Sequence, residues 1–239
     1  MSSRLLYLGA ALAATLPLHA ITLDDANRAF AAGKFHESTQ AYQALLQQDG
    51  YSAPVLYDLG NSLVREGDLP HAIVAYKRAL WLDPNDADTR ANLATAQKEA
   101  GLERPSEPRL QKLAAVMSAG SWAWTGFACW LLLCVLLLSR ALFPQMRGLL
   151  SVGAVADTCL LAVAVLGAIA ASAELRQVVV VEKNANALIS PFPDATTVFT
   201  PAPGQIITAQ KSYNDFVLVA DNAGHTGWIA RRQVEPVVP

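Results

Sequence analysis

Three textures of hydrophobicity follow one another along the chain. From Ile21 to Gly101 the pattern repeats with a long period: Gly33, Gly67 and Gly101 are 34 residues apart. Tyr42 and Tyr76, Leu46 and Leu80, Asp49 and Asp83, and the small residues Ala26, Gly60 and Ala94 keep the same offset. That period is the length of a helix–turn–helix unit, so paired helices are predicted here. From Leu113 to Ala173 the apolar residues run together, and only Arg140, Arg147 and Asp157 are charged. Such runs are long enough to cross a bilayer as helices. From Arg176 the pattern changes to short β-rich runs separated by turn residues. These predict strands at Gln177–Val181, Asn186–Ile189, Thr196–Thr200, Gln205–Ala209, Phe216–Ala220 and Gly227–Ala230, with Val234 closing the set. Turns fall at Pro191–Asp194, Pro201–Gly204 and Asp221–Gly224.

Within the first region the residue types have physical roles. Gly60, Ala26 and Ala94 let two helices approach closely, and Gly33 and Gly67 suit left-handed turns between paired helices. Pro84 stops one helix, and Asp86 is placed to cap the next. The set Leu56, Leu59, Gly60, Gly67, Ala72, Tyr76, Ala79, Leu80 and Pro84 resembles a near-complete tetratricopeptide repeat. Residues Ile21–Gly50 are a weaker copy, with Ser38 in place of Ala72 and no closing proline; Ala87–Ala100 is a trailing helix. So short an array needs a further surface to lean on, its own or a partner's. The resemblance implies a concave groove that binds extended or helical peptides. Its lining would come from first helices: Asn27 and Asn61 one repeat apart, then Tyr57, Arg65 and Lys98. A carboxamide can hold a peptide backbone with donor and acceptor, and the two cations could meet a carboxylate.

The apolar region divides into two predicted spans, 118–139 and 148–173, separated by a basic loop at 140–147 and preceded by a charged, proline-rich linker at 103–117. Within the linker, Arg109–Met117 suits a short interfacial helix. Trp122 and Trp124 sit near the start of the first span, where indoles favour headgroups. The loop carries Arg140 and Arg147 and no acid, which places it in the cytoplasm by the positive-inside rule. Residues 1–20 read as a secretory signal: Arg4, an apolar run to Leu16, Pro17, then Leu18-His19-Ala20. Both features put the repeats and the C-terminal segment outside the cytoplasm. Asp157 is the odd residue, costing about 2.5–3.5 kcal/mol near a span centre. Its candidate partners are a basic group on another subunit's helix, or the hydroxyls of Ser151 and Thr158. Gly148, Gly153, Ala154, Ala156 and Gly167 favour close helix packing.

Composition agrees. Hydrophobic residues make up 53% and charged residues 16% of the 239, and the excess is confined to the middle of the chain. The net charge of −2 and the lack of a basic face argue against nucleic acid as a partner. Cys129, Cys134 and Cys159 all lie in the apolar stretch and are read as small hydrophobes, so no extramembrane disulfide framework exists. His19, His36, His71 and His225 do not cluster at metal-ligand spacing, and no phosphate loop or nucleophile elbow appears. No catalytic, cofactor or metal residues are expected, and the chain is read as non-enzymatic.

The C-terminal order Ala187-Leu188-Ile189, Pro203–Ile207, Phe216–Val219, Gly227-Trp228-Ile229 resembles the bacterial SH3-like domain, which implies a small all-β barrel over 174–239 that binds peptides or cell-wall material. Trp228 is assigned to its core, with Tyr213 and Phe192 as weaker binding candidates. The whole order of parts resembles the tetratricopeptide-containing branch of the Bacteroides-aerotolerance (Bat) family. That resemblance implies an inner-membrane scaffold with both soluble domains in the periplasm. It also implies partners bearing von Willebrand A domains and a nearby MoxR-type ATPase. The expected fold class is thus a multi-domain membrane protein: an all-α tetratricopeptide solenoid, a two-helix transmembrane hairpin and an all-β SH3-like barrel. A peptidoglycan-binding sensor or anchor is the competing function.

Overall fold

The structure, a computed structural model, describes residues 21–102, 117 and 119–238. The expected signal and nearly all of the linker, including its interfacial helix, lie outside these residues.

Five helices form the N-terminal region: α1 Leu23–Ala31, α2 Phe35–Asp49, α3 Ala53–Glu66, α4 Leu69–Leu82 and α5 Ala87–Glu99. Each boundary follows from local chemistry. Thr22 caps α1 in a reciprocal box with Asp25. Asp68 caps α4 through the His71 amide, and Asp86 caps α5 through the Asp88 amide and the Thr89 hydroxyl. The chain leaves α3 at Gly67 with φ +80°, a left-handed turn that a side chain would strain. The pairs interlock where the sequence is smallest. A Cβ at position 60 would stand 2.5 Å from the Tyr76 ring, so only glycine lets α3 and α4 close up. Ser38, the departure from the repeat pattern, is buried and hydrogen-bonds the buried Ser62 hydroxyl at 2.9 Å.

Two long apolar helices follow, α6 Ala119–Leu142 and α7 Arg147–Glu174, joined by Phe143 and a 3-10 turn at Pro144–Met146. At 1.5 Å per residue they measure roughly 36 and 42 Å, enough to cross a hydrocarbon core of about 30 Å. They run antiparallel, with Gly167 against Trp122, Gly126 near Ala164 and Gly153 near Leu136. Trp122 therefore packs inside the hairpin rather than anchoring its rim, while Trp124 is largely exposed. Of the small residues expected at the contact, Gly153, Ala154 and Gly167 line it; Gly148 and Ala156 do not. Cys134 and Cys159 are exposed on the hairpin's outer surface.

Only Leu175 and Arg176 separate α7 from the first of seven strands: β1 Gln177–Val180, β2 Ala187–Leu188, β3 Thr197–Phe199, β4 Ile206–Tyr213, β5 Phe216–Ala220, β6 Thr226–Ala230 and β7 Val234–Pro236. They pair antiparallel in the order β3-β2-β6-β5-β4-β1-β7. The order has two ends, so among the described residues the pairing shows an antiparallel sheet, without the strand pair that would close the expected barrel. Val178, Val180, Ile207, Val217, Val219 and Ile229 form its core. Trp228 alternates to the opposite face of β6 and is only half-buried, which corrects its assignment to the core.

The short array leans on this sheet. β1 is buried on both faces: Val178 and Val180 point into the sheet core, and Val179 packs with Ile73, Ala100 and Leu102 of the helical region. Ile206 and Val237 join that second cluster, and Gly204 abuts Ile73. A polar clasp surrounds it. Arg78 pairs with Glu235 at 2.9 Å and donates to the carbonyls of Pro236 (2.8 Å) and Val237 (3.3 Å). His71 bonds Asp68 at 2.8 Å and faces Glu235 at 3.8 Å. The hydrogen bond to Asp68, helped by Glu235, raises the His71 pKa against burial and Arg78; the same bond lowers that of Asp68.

Because His71 titrates higher when folded, its contribution is full below its ordinary value of 6.5 and is lost as pH rises through the raised one. The full chain is expected to lose stability as pH rises above about 6.5 relative to His71→Gln, by less than about 1 kcal/mol because the ring is partly exposed. Parallel thermal curves of the two proteins check this. Gly60→Ala is expected to cost about 1–3 kcal/mol in denaturant unfolding, since the Tyr76 ring has to move.

Candidate functional site

The helical region holds an open cleft of about 240 Å³, lined by Phe30, Asn61, Val64, Arg65, Tyr76, Asn92, Thr95 and Ala96. It lies between α1, α3 and α5, whereas the sheet covers α4. A hydrogen-bonded chain forms its floor. The Tyr76 hydroxyl donates to the Asn61 carbonyl oxygen at 2.8 Å, and the Asn92 amide donates to the same oxygen at 3.0 Å. Asn92 also donates to the Tyr57 hydroxyl at 3.2 Å, and the Tyr57 ring lies 6.2 Å from Tyr76. Burial raises the pKa of Tyr76 well above the ordinary phenol value, so it remains a donor at neutral pH. Arg65 stacks on Phe35 at 4.5 Å, which holds its guanidinium at the rim.

Of the groove residues expected from the sequence, the structure gathers Asn61, Arg65 and Tyr57. Asn27 sits one repeat away, where it accepts from the Tyr42 hydroxyl at 2.6 Å. The two asparagines thus share an internal duty: each carbonyl holds the tyrosine 15 residues later. Tyr42 is pushed up to about 12, by burial first and then by Asp58. Lys98 is exposed on α5, one turn beyond Thr95, and does not line the cleft. Asn92 and Thr95 were not anticipated. Thr95 could have been, because it stands 34 residues after Asn61.

Asp157 lies ten residues into α7, roughly 15 Å from the hairpin turn at 1.5 Å per residue. It is 4% exposed, and among the described residues neither carboxylate oxygen has a hydrogen-bond partner. The two hydroxyls considered as partners are engaged with their own helix. Ser151 donates to the Arg147 carbonyl at 2.6 Å and Thr158 to the Ala154 carbonyl at 2.7 Å. Among the described residues no group of three His, Cys, Asp or Glu could hold a metal.

The fold and cleft together define a helical-repeat protein with an open first-helix face. Residues 60–101 match the TPR repeat family. Among curated proteins, no relative matches the chain.

Asn61→Ala is expected to cost about 1–3 kcal/mol, because it orphans the buried Tyr76 hydroxyl and an Asn92 donor. Tyr76→Phe is expected to recover part of this loss in the double variant, and urea unfolding of the four proteins measures the coupling. Asp157→Leu is expected to raise the thermal midpoint in detergent by removing an unpaired acid worth about 2.5–3.5 kcal/mol at mid-span. A fall in the midpoint would mean that the carboxylate has a stabilising partner.

Proposed function

We propose that this chain is a non-enzymatic membrane scaffold whose repeats grip a partner protein while a helical hairpin holds it in a bacterial inner membrane. The observation that carries this reading is the division of the repeat surface. The sheet occupies α4 and leaves the cleft between α1, α3 and α5 open, with fixed polar groups on its floor and a cation at its rim. A TPR repeat at 60–101 favours protein–protein interaction. The cleft suits an extended peptide segment: Asn92 and Thr95 can engage its backbone, and Arg65 can meet a carboxylate.

The membrane topology follows the same logic. The repeats and the sheet pack on each other although the apolar hairpin separates them in sequence, which supports both lying on one side of the bilayer. The basic turn with Arg140 and Arg147 would then face the cytoplasm and both soluble parts the periplasm. The SH3-like reading of residues 174–239 rests on the strand pattern, and the likeness to the Bat family rests on the order of parts. On that likeness, membrane proteins bearing von Willebrand A domains are the partners to test first. Peptidoglycan binding through the sheet is the competing reading, favoured by the exposed Tyr213 beside Trp228 at 6.4 Å.

A photo-crosslinking residue at Thr95 in the full chain, activated in native membranes, is expected to yield a discrete protein adduct that Arg65→Ala weakens by roughly tenfold, as for the loss of one charge-assisted contact. No adduct at position 95, with detergent-solubilised protein pelleting on purified sacculi, would instead support the cell-wall reading. Reporter fusions after Gly101 and Pro239 are both expected to read as periplasmic; a cytoplasmic signal from either overturns the topology.

A further inference from the structure

We infer that the β4–β5 hairpin is a membrane-contact surface that takes the anionic phospholipid headgroups of the bilayer spanned by α6 and α7. The inference rests on the spanning reading above and adds a lipid-binding site to it.

Strand register carries the argument. Gln177 pairs with Thr208, Thr208 with Ala220, and Ala220 with Thr226, so these four mark one row across the sheet. Before that row, the Arg176 carbonyl accepts from the Ala209 amide at 2.8 Å, so the chain arriving from α7 runs alongside β4. β4 continues past this point to Tyr213, which pairs with Phe216, and Phe216 pairs with Ala230. The hairpin tip at Asn214-Asp215 therefore projects toward the side from which α7 arrives, roughly 13 Å beyond Arg176 at 3.3 Å per residue. The opposite hairpin, Asp221–His225, points the other way. A link of only two residues holds β1 within about 11 Å of the helix end. The β4–β5 tip is the end of the sheet that meets the membrane surface.

Its side chains fit that place. Lys211, Tyr213, Phe216, Leu218 and Trp228 share the face of the sheet opposite its core. Tyr213 is 51% exposed, and Trp228 is half-buried with the Lys211 ammonium 5.6 Å from its ring. Tyr and Trp prefer the headgroup layer, where an apolar body and a polar tip are both satisfied. Lys211 and Arg231 are exposed around the tip, Arg176 is exposed further back beside Ala209, and the Arg231 amide is tied to the Asp215 carbonyl at 2.7 Å. Asp215 is the only acid from Ala209 to Val217. Long basic side chains here can extend their stems over the aromatic face and reach lipid phosphates. The repeats cover the other end of β1 and β4, at Val179, Ile206 and Gly204, and among the described residues this end is left exposed.

The test uses full-length protein in phosphatidylcholine vesicles containing phosphatidylglycerol. Single-cysteine variants carry a fluorophore at Ser212→Cys or Ala223→Cys, with Cys129, Cys134 and Cys159 replaced by alanine. Lipids with a headgroup nitroxide are expected to quench position 212 at least about threefold more than position 223, as the steep decay of headgroup contact with distance requires. Equal quenching overturns the inference. Lys211→Gln with Arg231→Gln is expected to halve that ratio, roughly, and to do so only with phosphatidylglycerol present; an unchanged ratio overturns the headgroup contact. A variant keeping Cys134 tests the premise separately. Failure of acyl-chain nitroxides to quench a label there removes the spanning reading and the inference with it. Quenching at Cys134 with positions 212 and 223 alike overturns the inference alone.

Discussion

A single strand, β1, carries more of the architecture than any other element. Its alternating valines are buried on both faces, two toward the sheet and one toward the helices, so neither half of the molecule completes its packing without it. Apolar burial of this kind is non-directional, and by itself it would tolerate sliding. The Arg78 guanidinium removes that freedom by binding two successive carbonyls and one carboxylate at the far edge of β7. Planar, bidentate donors specify orientation in a way a point charge does not. The mutual placement of repeats and sheet is the geometric result of that clasp.

The large divisions of the chain were legible in its sequence because each is written in a different period. The 34-residue repetition, the charge-free runs and the turn-punctuated strands do not compete with one another. The strand limits moved by a few residues, and Phe216–Ala220 did not move at all. Trp228 was misplaced for a definite reason. Size alone suggested a core residue, but strand parity puts Gly227 and Ile229 inward and sends the indole outward. Closure of the sheet was likewise beyond the pattern, because pairing at the edges depends on contacts that no local run encodes.

The cleft was only half readable. Asn27 and Asn61 drew notice because they recur in register, yet their recurrence reflects a duty inside each repeat, steadying Tyr42 and Tyr76. Repetition in a solenoid marks whatever every unit needs, and that is first of all packing. Residues that give one unit its own character fall outside the repeat. Asn92 is such a residue: it ties α5 to Tyr57 and Asn61 of α3, and no spacing rule points to it.

The pairing of β1 with β7 brings together the first and last strands of the sheet, from Gln177 to Pro236. The helical pairs, by contrast, are built from neighbours in sequence, and such local contacts form early and fast. As the chain is made, the repeats can therefore fold while the sheet is still an unpaired thread. Ile73 and Arg78 then wait on a bare helix face until β7 has been made. The molecule has in effect a completion signal: its halves lock only once β7 has joined β1, and a chain cut before β7 is left with an apolar helix face that proteases and chaperones can recognise.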